Sequence, residues 1–225
     1  MKKYELLKDD TIDFLGKTLF RIKALISFKG IRKGEIGGYV EAERNLSQSG
    51  NAWVCDDARV SDDARVSDDA RVSGNAWVSG NARVSDDARV SGNACVTGNA
   101  WVCDDARVSD DARVSGNARV TGNAWVSGNA RVTGNAWVSG NAWVSDNAWV
   151  SGNAWVETSN DYIVFKNNWS SFRWFTYTKS NKMWRAGCFY GTGQELVEKA
   201  YKDSDESGRK YELYVNLVKE LYRDE

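Results

Sequence analysis

A six-residue repeat restricts this chain to very few folds. The motif S-G/D-N/D-A-x-V runs from residue 49 to residue 156, and valine returns every six residues from Val54 to Val156, eighteen times. An alanine stands two residues before each valine, so an extended segment places alanine and valine on one side and the variable residue on the other. The S-G-N and S-D-D triplets supply residues that tolerate positive φ. The hexads therefore predict short strands joined by corners, in a triangular parallel β-helix of about six coils.

The hexads also resemble a known repeat. In the left-handed β-helix of bacterial hexapeptide acyltransferases an aliphatic residue opens each hexad and a small residue follows four positions later, as in Val54 and Ala58. This resemblance covers residues 49–156 and implies an all-β solenoid of left-handed coils.

The two ends of a solenoid need covers, and the flanking segments are the candidates. Residues 1–48 are expected to form an N-terminal β cap, with a hairpin turning near Gly16 and a stretch that enters the first coil through Val40 and Leu46. Residues 157–225 are expected to form a C-terminal α+β domain. It contains the strand-like segments DYIVF, FRWFTYT and MWRAGCF, followed by two helical patterns with Thr192 as a candidate helix cap.

The flanking segments carry a second resemblance. The stretches GEIGGYVEAERNLSQSGNAWV and GCFYGTGQELVEKAYK are similar to those of uncharacterised hexapeptide-repeat proteins of bacteriophages and bacteria. This similarity implies a phage or prophage origin and no established activity. The sequence has no apolar run of about 18 residues and no secretion signal, so we expect a protein of the host cell cytoplasm.

The absence of histidine bears on catalysis, because the chain has none. The acyltransferases of this repeat class use a histidine as general base, and the related γ-type carbonic anhydrases hold zinc with three histidines. We therefore expect no enzyme activity, no cofactor and no metal site. Calcium bound along the rows of aspartates is an alternative, although the spacing lacks the known repeat motif for it.

The variable position, called the outward slot below, holds eight tryptophans, nine arginines and one cysteine. Stacking at 18 residues sorts these side chains into three columns, one for each face of the prism. The columns are Trp53, Arg71, Arg89, Arg107, Trp125 and Trp143; Arg59, Trp77, Cys95, Arg113, Arg131 and Trp149; and Arg65, Arg83, Trp101, Arg119, Trp137 and Trp155.

Five of the last six outward slots hold tryptophan, more exposed indole than a soluble monomer normally presents. We expect these tryptophans to divide between contacts to the C-terminal domain and a binding surface, with more burial than Trp53 or Trp77. Cation–π ladders that satisfy themselves within each column are the alternative. The candidate binding residues are Trp125, Trp137, Trp143, Trp149, Trp155, Arg71, Arg89 and Arg107.

Every hexad with Asp-Asp at its corner has arginine in the outward slot. Stacked like charges repel one another, so we expect the aspartate and arginine rows to neutralise each other, or to bind something that does.

These features favour a non-enzymatic scaffold that binds a protein partner, a host or defence factor for example, through its Trp and Arg faces. Self-association, as in a homotrimer, is one alternative. Another is a degenerate acyltransferase-like trimer that binds a nucleotide-like small ligand in clefts between subunits. A single-stranded nucleic-acid binder is a further alternative, weakened because residues 49–156 hold nine arginines against thirteen aspartates.

Overall fold

The hexads fold as their alternation predicts. In the computed structural model, which describes residues 2–223, each hexad contributes a two-residue strand made of the outward-slot residue and its valine. All eighteen valines and their alanines are at most 1% exposed, so the predicted interior is confirmed. These strands, β4 to β21, are Trp53–Val54, Arg59–Val60, Arg65–Val66, Arg71–Val72, Trp77–Val78, Arg83–Val84, Arg89–Val90, Cys95–Val96, Trp101–Val102, Arg107–Val108, Arg113–Val114, Arg119–Val120, Trp125–Val126, Arg131–Val132, Trp137–Val138, Trp143–Val144, Trp149–Val150 and Trp155–Val156.

Successive coils pair in parallel at a spacing of 18 residues, as Arg71 with Arg89 illustrates. Backbone N–H groups of one coil donate to carbonyls of the next, for example from Arg71 to Ala88 at 2.9 Å. Three parallel sheets result. We call them the first, second and third face, in the order in which the chain reaches them at Trp53, Arg59 and Arg65.

The corners explain why glycine and aspartate alternate at the second position of the hexad. Gly116 has a φ of 72°, and a Cβ there would lie 2.9 Å from the Gly134 carbonyl oxygen. Asp62 adopts a φ of 62°, and its carboxylate accepts a hydrogen bond from the Gly80 N–H at 3.0 Å. Glycine leaves space for the next coil, whereas aspartate supplies it with an acceptor.

The N-terminal cap extends the second face. Strands β1 (Tyr4–Phe14) and β2 (Lys17–Ala24) form the predicted hairpin, which turns at Gly16 with a φ of 76°. Strand β3 (Ile36–Val40) pairs with β2 and, in parallel, with β5. A 3-10 helix (Glu43–Asn45) follows, and Leu46 bridges to Val66. The entry through Val40 and Leu46 is thus confirmed and brings the solenoid to about seven turns.

Side chains of the two flanking segments satisfy the open backbone groups at the solenoid ends. At the N-terminal end the Lys3 ammonium donates to the Ala52 carbonyl at 2.9 Å. At the C-terminal end the N–H groups of Trp149 and Trp155 donate to the Thr176 and Ser180 hydroxyls, at 2.9 and 2.7 Å. The caps thereby complete a hydrogen-bond ladder that a solenoid cannot close by itself.

The C-terminal domain is a four-stranded antiparallel sheet with two helices. After a 3-10 helix (Ser159–Asp161) its strands are β22 (Tyr162–Lys166), β23 (Trp174–Thr178), β24 (Met183–Ala186) and β25 (Phe189–Gly191), and its helices are α1 (Gly193–Asp203) and α2 (Asp205–Leu221). The segment MWRAGCF thus forms two strands, because the chain turns at Gly187 with a φ of 59°. Thr192 caps α1 as predicted.

No helix among residues 2–223 has the length and apolar character that a membrane crossing requires.

Candidate functional site: exposed tryptophans on two faces

Trp125 and Trp143 form a stacked pair on the first face. Their strands pair in register, and the ring centroids lie 5.2 Å apart with an interplanar angle of 10°. Trp137 and Trp155 repeat the arrangement on the third face, at 5.6 Å and 12°. These four indoles are 38–50% exposed. The last coils therefore present two separate aromatic surfaces, which we call the tryptophan pairs.

Each indole of the tryptophan pairs has a partner for its polar edge. The Trp125 Nε1–H donates to the Ser109 hydroxyl at 3.0 Å, and Trp143 donates to Ser127 at 2.9 Å. Both acceptors lie 16 residues earlier, on the preceding coil, so the ring lies along the face instead of projecting from it. Trp77, Trp101, Trp137, Trp149 and Trp155 make the same bond to Ser61, Ser85, Thr121, Thr133 and Ser139. The indole N–H is thus satisfied within the chain, and what remains exposed is apolar ring surface.

Trp149, on the second face, is only half exposed. The Arg185 guanidinium of β24 lies 3.8 Å from its ring centroid, and that of Arg131 lies 5.1 Å away. The expected contact between the C-terminal domain and this tryptophan is confirmed. The domain leaves the tryptophan pairs on the other two faces exposed.

Trp53 reverses the predicted order of burial. It is fully buried against Tyr4 and Phe28, whose ring centroids lie 6.3 and 5.5 Å from its own. Trp77 is half-buried beside Phe14. The prediction that Trp137, Trp143, Trp149 and Trp155 are more buried than these two is therefore wrong. Its physical reason is that the N-terminal cap packs rings against both Trp53 and Trp77, whereas no ring contact in residues 2–223 joins the C-terminal domain to the tryptophan pairs.

The three candidate arginines occupy one column of the first face. Arg71, Arg89 and Arg107 are in register with one another, and Arg107 pairs with Trp125. Arg71 is half-buried and donates to the Lys29 carbonyl, whereas Arg89 and Arg107 are exposed. The candidate binding residues thus divide among three faces. The arginines share a surface only with Trp125 and Trp143.

The aspartate rows have bonding partners other than the outward-slot arginines. Among residues 2–223, no ion pair joins an outward-slot arginine to a corner aspartate, so the expected neutralisation between the rows does not take the form of direct ion pairs. The Lys29 ammonium instead bonds to Asp69 at 2.6 Å and to Asp87 at 2.9 Å, and these hydrogen bonds raise the pKa of Lys29. Arginines point along the faces while aspartates stand at corners, where cap lysines and backbone N–H groups reach them.

Asp86, Cys103 and Asp104 are close enough to share a metal ion. Burial and the two carboxylates raise the pKa of the Cys103 thiol to about 12. Metals bind the thiolate, so metal binding here would require loss of the thiol proton, which the charge of the metal itself favours.

Sequence reasoning missed a basic groove between the second face and the C-terminal sheet. Its lining includes Arg131, Trp149, Arg173, Trp174 and Arg185. Arg131 and Trp149 are outward-slot residues, but no spacing rule joins them to a strand more than thirty residues away.

Comparison with protein families agrees with this architecture. The YdcK beta solenoid repeat model matches residues 64–80, 88–104, 112–128 and 124–140. The chain is a β-solenoid repeat protein. All four matched segments lie within the solenoid, and the matches do not extend into either flanking segment. No curated protein matches the sequence.

Proposed function

We propose that this β-solenoid repeat protein is a non-enzymatic phage or prophage scaffold that binds a protein partner through its tryptophan pairs. One observation supports the proposal above all others. Four indoles are stacked in two pairs on the last coils, are 38–50% exposed, and are left uncovered by the chain's own C-terminal domain.

The chemistry of the pairs fits a protein surface better than a polyanion. The indole N–H groups are already bonded to hydroxyls of the preceding coil. The favourable free energy of binding therefore comes from removing water from the ring faces. Tryptophan and arginine dominate the binding energy of protein interfaces, and Arg107 lies next to Trp125 in its column. The thirteen aspartates of residues 49–156 outnumber the nine arginines, which disfavours nucleic acid.

The remaining parts of the proposal rest on the sequence. The likeness of the flanking stretches to phage and bacterial hexapeptide-repeat proteins supports the origin. The lack of histidine removes the general base and zinc ligands on which the familiar activities of such repeats depend.

The test compares the wild type with the double variant Trp143→Ala/Trp155→Ala, which removes one ring from each tryptophan pair. Trp101→Ala is the matched control, because Trp101 occupies the same slot at similar exposure but has no tryptophan neighbour in its column. Immobilised proteins are exposed to lysate of infected host cells, and bound proteins are quantified by mass spectrometry. We expect a partner that the wild type and Trp101→Ala retain and the double variant loses by more than about tenfold.

Equal recovery by all three proteins would contradict the proposal. Sedimentation of the purified proteins tests the alternative, which is self-association of this chain. A wild-type oligomer that the double variant abolishes would assign the tryptophan pairs to contacts between copies of this chain.

A further inference from the structure

The groove between the second face and the C-terminal sheet has the dimensions of a small-molecule site. Its volume is about 760 Å³, within the 300–1,000 Å³ that is usual for ligand pockets. One wall comes from the solenoid through Arg131 and Trp149, and the other comes from the C-terminal domain through Arg173, Trp174 and Arg185.

The charged side chains of the groove are all positive. Arg131, Arg173 and Arg185 line it, and none of its lining residues is acidic. Among residues 2–223, no ion pair involves any of these three arginines. Asp146, next to Asn147 in the chain, and Asp111, one coil below Asn129, do not line it. Three guanidinium groups thus share a concave surface without a counter-charge from the protein.

Two of these guanidinium groups pack on a shared indole. Arg185 and Arg131 lie against the same Trp149 ring, at 3.8 and 5.1 Å from its centroid. The Arg185 Nε is buried without a hydrogen-bond partner. Burial lowers the pKa of Arg185, Cys188 and Tyr190 partly oppose this, and Arg131 makes a smaller contribution in the same direction as burial, so an anion bound here would favour the charged guanidinium.

Gly187 allows the third arginine to reach the groove. A Cβ at this position would lie 3.3 Å from Nη1 of Arg173, so the guanidinium lies across the turn between β24 and β25. Planar guanidinium groups bind phosphate oxygens in pairs, and three of them from separate elements can surround one polyphosphate.

Two exposed aromatic rings border the guanidinium groups. Phe172 and Trp174 are 66% and 42% exposed. Phe172 has a φ of 53°, in the left-handed region that a bulky residue rarely adopts. The strained backbone thus presents an apolar ring to solvent at the edge of a cationic groove. Such a ring is a stacking platform for a planar ligand.

We propose that this groove is a binding site for a mononucleotide, with its phosphates on Arg131, Arg173 and Arg185 and its base against Trp174 and Phe172. The site lies on the second face and does not involve the tryptophan pairs of the first and third faces. It therefore stands independently of the proposed protein partner.

Isothermal titration calorimetry of the full chain with ATP, pyrophosphate and adenosine tests the assignment. We expect ATP to bind more tightly than either fragment, because only ATP uses both the guanidinium groups and the rings. Arg131→Gln and Arg185→Gln should each weaken ATP binding by about tenfold or more. Arg113→Gln is the matched control, since Arg113 lies one coil below Arg131 in the same column but outside the groove. It should leave the affinity unchanged.

Arg185 packs on Trp149, so thermal unfolding of Arg185→Gln is measured alongside. Arg131→Gln changes an exposed solenoid residue and keeps the test valid if Arg185→Gln is unfolded. Lack of ATP binding, or equal weakening by Arg113→Gln and Arg131→Gln, would overturn the site. Pyrophosphate binding as tight as that of ATP would overturn the role of the rings. Trp143→Ala/Trp155→Ala should bind ATP like the wild type. A failure of the nucleotide site can therefore be distinguished from a failure of the proposed protein partner.

Discussion

Trp53 and Trp143 occupy identical hexads, SGNAWV, on the same face of the prism, and they have opposite environments. Trp53 is 0% exposed at the N-terminal end, whereas Trp143 is 50% exposed near the C-terminal end. The hexad fixes the direction in which each side chain points. What covers that side chain depends on segments outside the repeat.

The two caps perform the same backbone task and both contact the second face, but they differ on the first face. The N-terminal cap places Tyr4 and Phe28 against the first face, at Trp53. The C-terminal domain places Arg185 against the second face, at Trp149, and reaches the other faces mainly through hydroxyls that bond the last N–H groups. This asymmetry adds to the five tryptophans in the last six outward slots and leaves exposed indole concentrated at one end of the molecule.

Removing residues 157–225 should have the largest effect on the comparison. The N–H groups of Trp149 and Trp155 would lose the Thr176 and Ser180 hydroxyls, and an open strand edge would appear beside exposed indoles. We expect the truncated protein to associate and to bind more hydrophobic dye than the full chain, measured by sedimentation and dye fluorescence at matched concentrations. A truncated protein that stays monomeric with unchanged dye binding would show that the C-terminal domain is not a cap.

Alanine substitutions at the two ends of the first face should change the free energy of unfolding by different amounts, although the two hexads are identical. Trp53→Ala should lower the free energy of unfolding by about 3–5 kcal/mol, because a buried ring leaves a cavity beneath the cap. Trp143→Ala should cost less than about 1 kcal/mol. Chemical denaturation measures both values, and similar losses would contradict the difference between the two ends.

Inside the solenoid, the effect of a substitution should depend on whether the side chain points inward or outward, and not on which end of the molecule is nearer. Val102→Ala removes buried methyl groups in the middle of the prism and should cost about 1–3 kcal/mol. Arg83→Ala, on an exposed outward slot of the preceding coil, should cost less than about 1 kcal/mol. Thermal unfolding of the two variants checks the assignment of inward and outward positions, which equal effects would refute.

The smallest expected effect concerns Lys3, which is buried at the N-terminal end. Burial lowers its pKa from 10.5 to about 8. Between these values the unfolded chain binds a proton that the folded chain does not, so stability from this group rises with pH. Relative to Lys3→Met, the wild type should gain about 1 kcal/mol of unfolding free energy between about pH 8 and about pH 9. Cys55 and Cys103 titrate in both proteins and cancel from the comparison. A difference that does not change with pH would show that Lys3 is not desolvated.

The sequence predicts those features of the fold that depend on local periodicity. The strict recurrence of valine and alanine predicted the buried interior, the three columns and the outward slots. The hairpin at Gly16, the entry through Val40 and Leu46, and the Thr192 cap follow from equally local signals. The bonds from indole to hydroxyl have only a weak sequence signal: each bonded tryptophan has serine or threonine 16 residues earlier, but so do Arg83, Arg89 and most other outward-slot arginines.

Contacts between the repeat and its flanks had no comparable signal. The burial of Trp53 depends on where a distant hairpin and the loop at Phe28 pack, and the basic groove depends on the placement of Arg173 and Arg185 against the second face. The columns place Trp149 and Trp143 on different faces, but they do not indicate that Arg185 of the C-terminal domain packs on the Trp149 ring. The sequence therefore predicted the candidate binding residues and their faces but not which of them the caps cover.

Oxidative footprinting of individual tryptophans tests the central claim most directly. Purified protein and protein in lysate of infected cells are exposed to hydroxyl radicals, and oxidation of each tryptophan is followed by mass spectrometry. In buffer, Trp143 and Trp155 should oxidise much faster than Trp53. In lysate their oxidation should slow relative to that of Trp101, because a partner covers the tryptophan pairs. Unchanged relative rates at Trp143 and Trp155 in lysate would contradict the account.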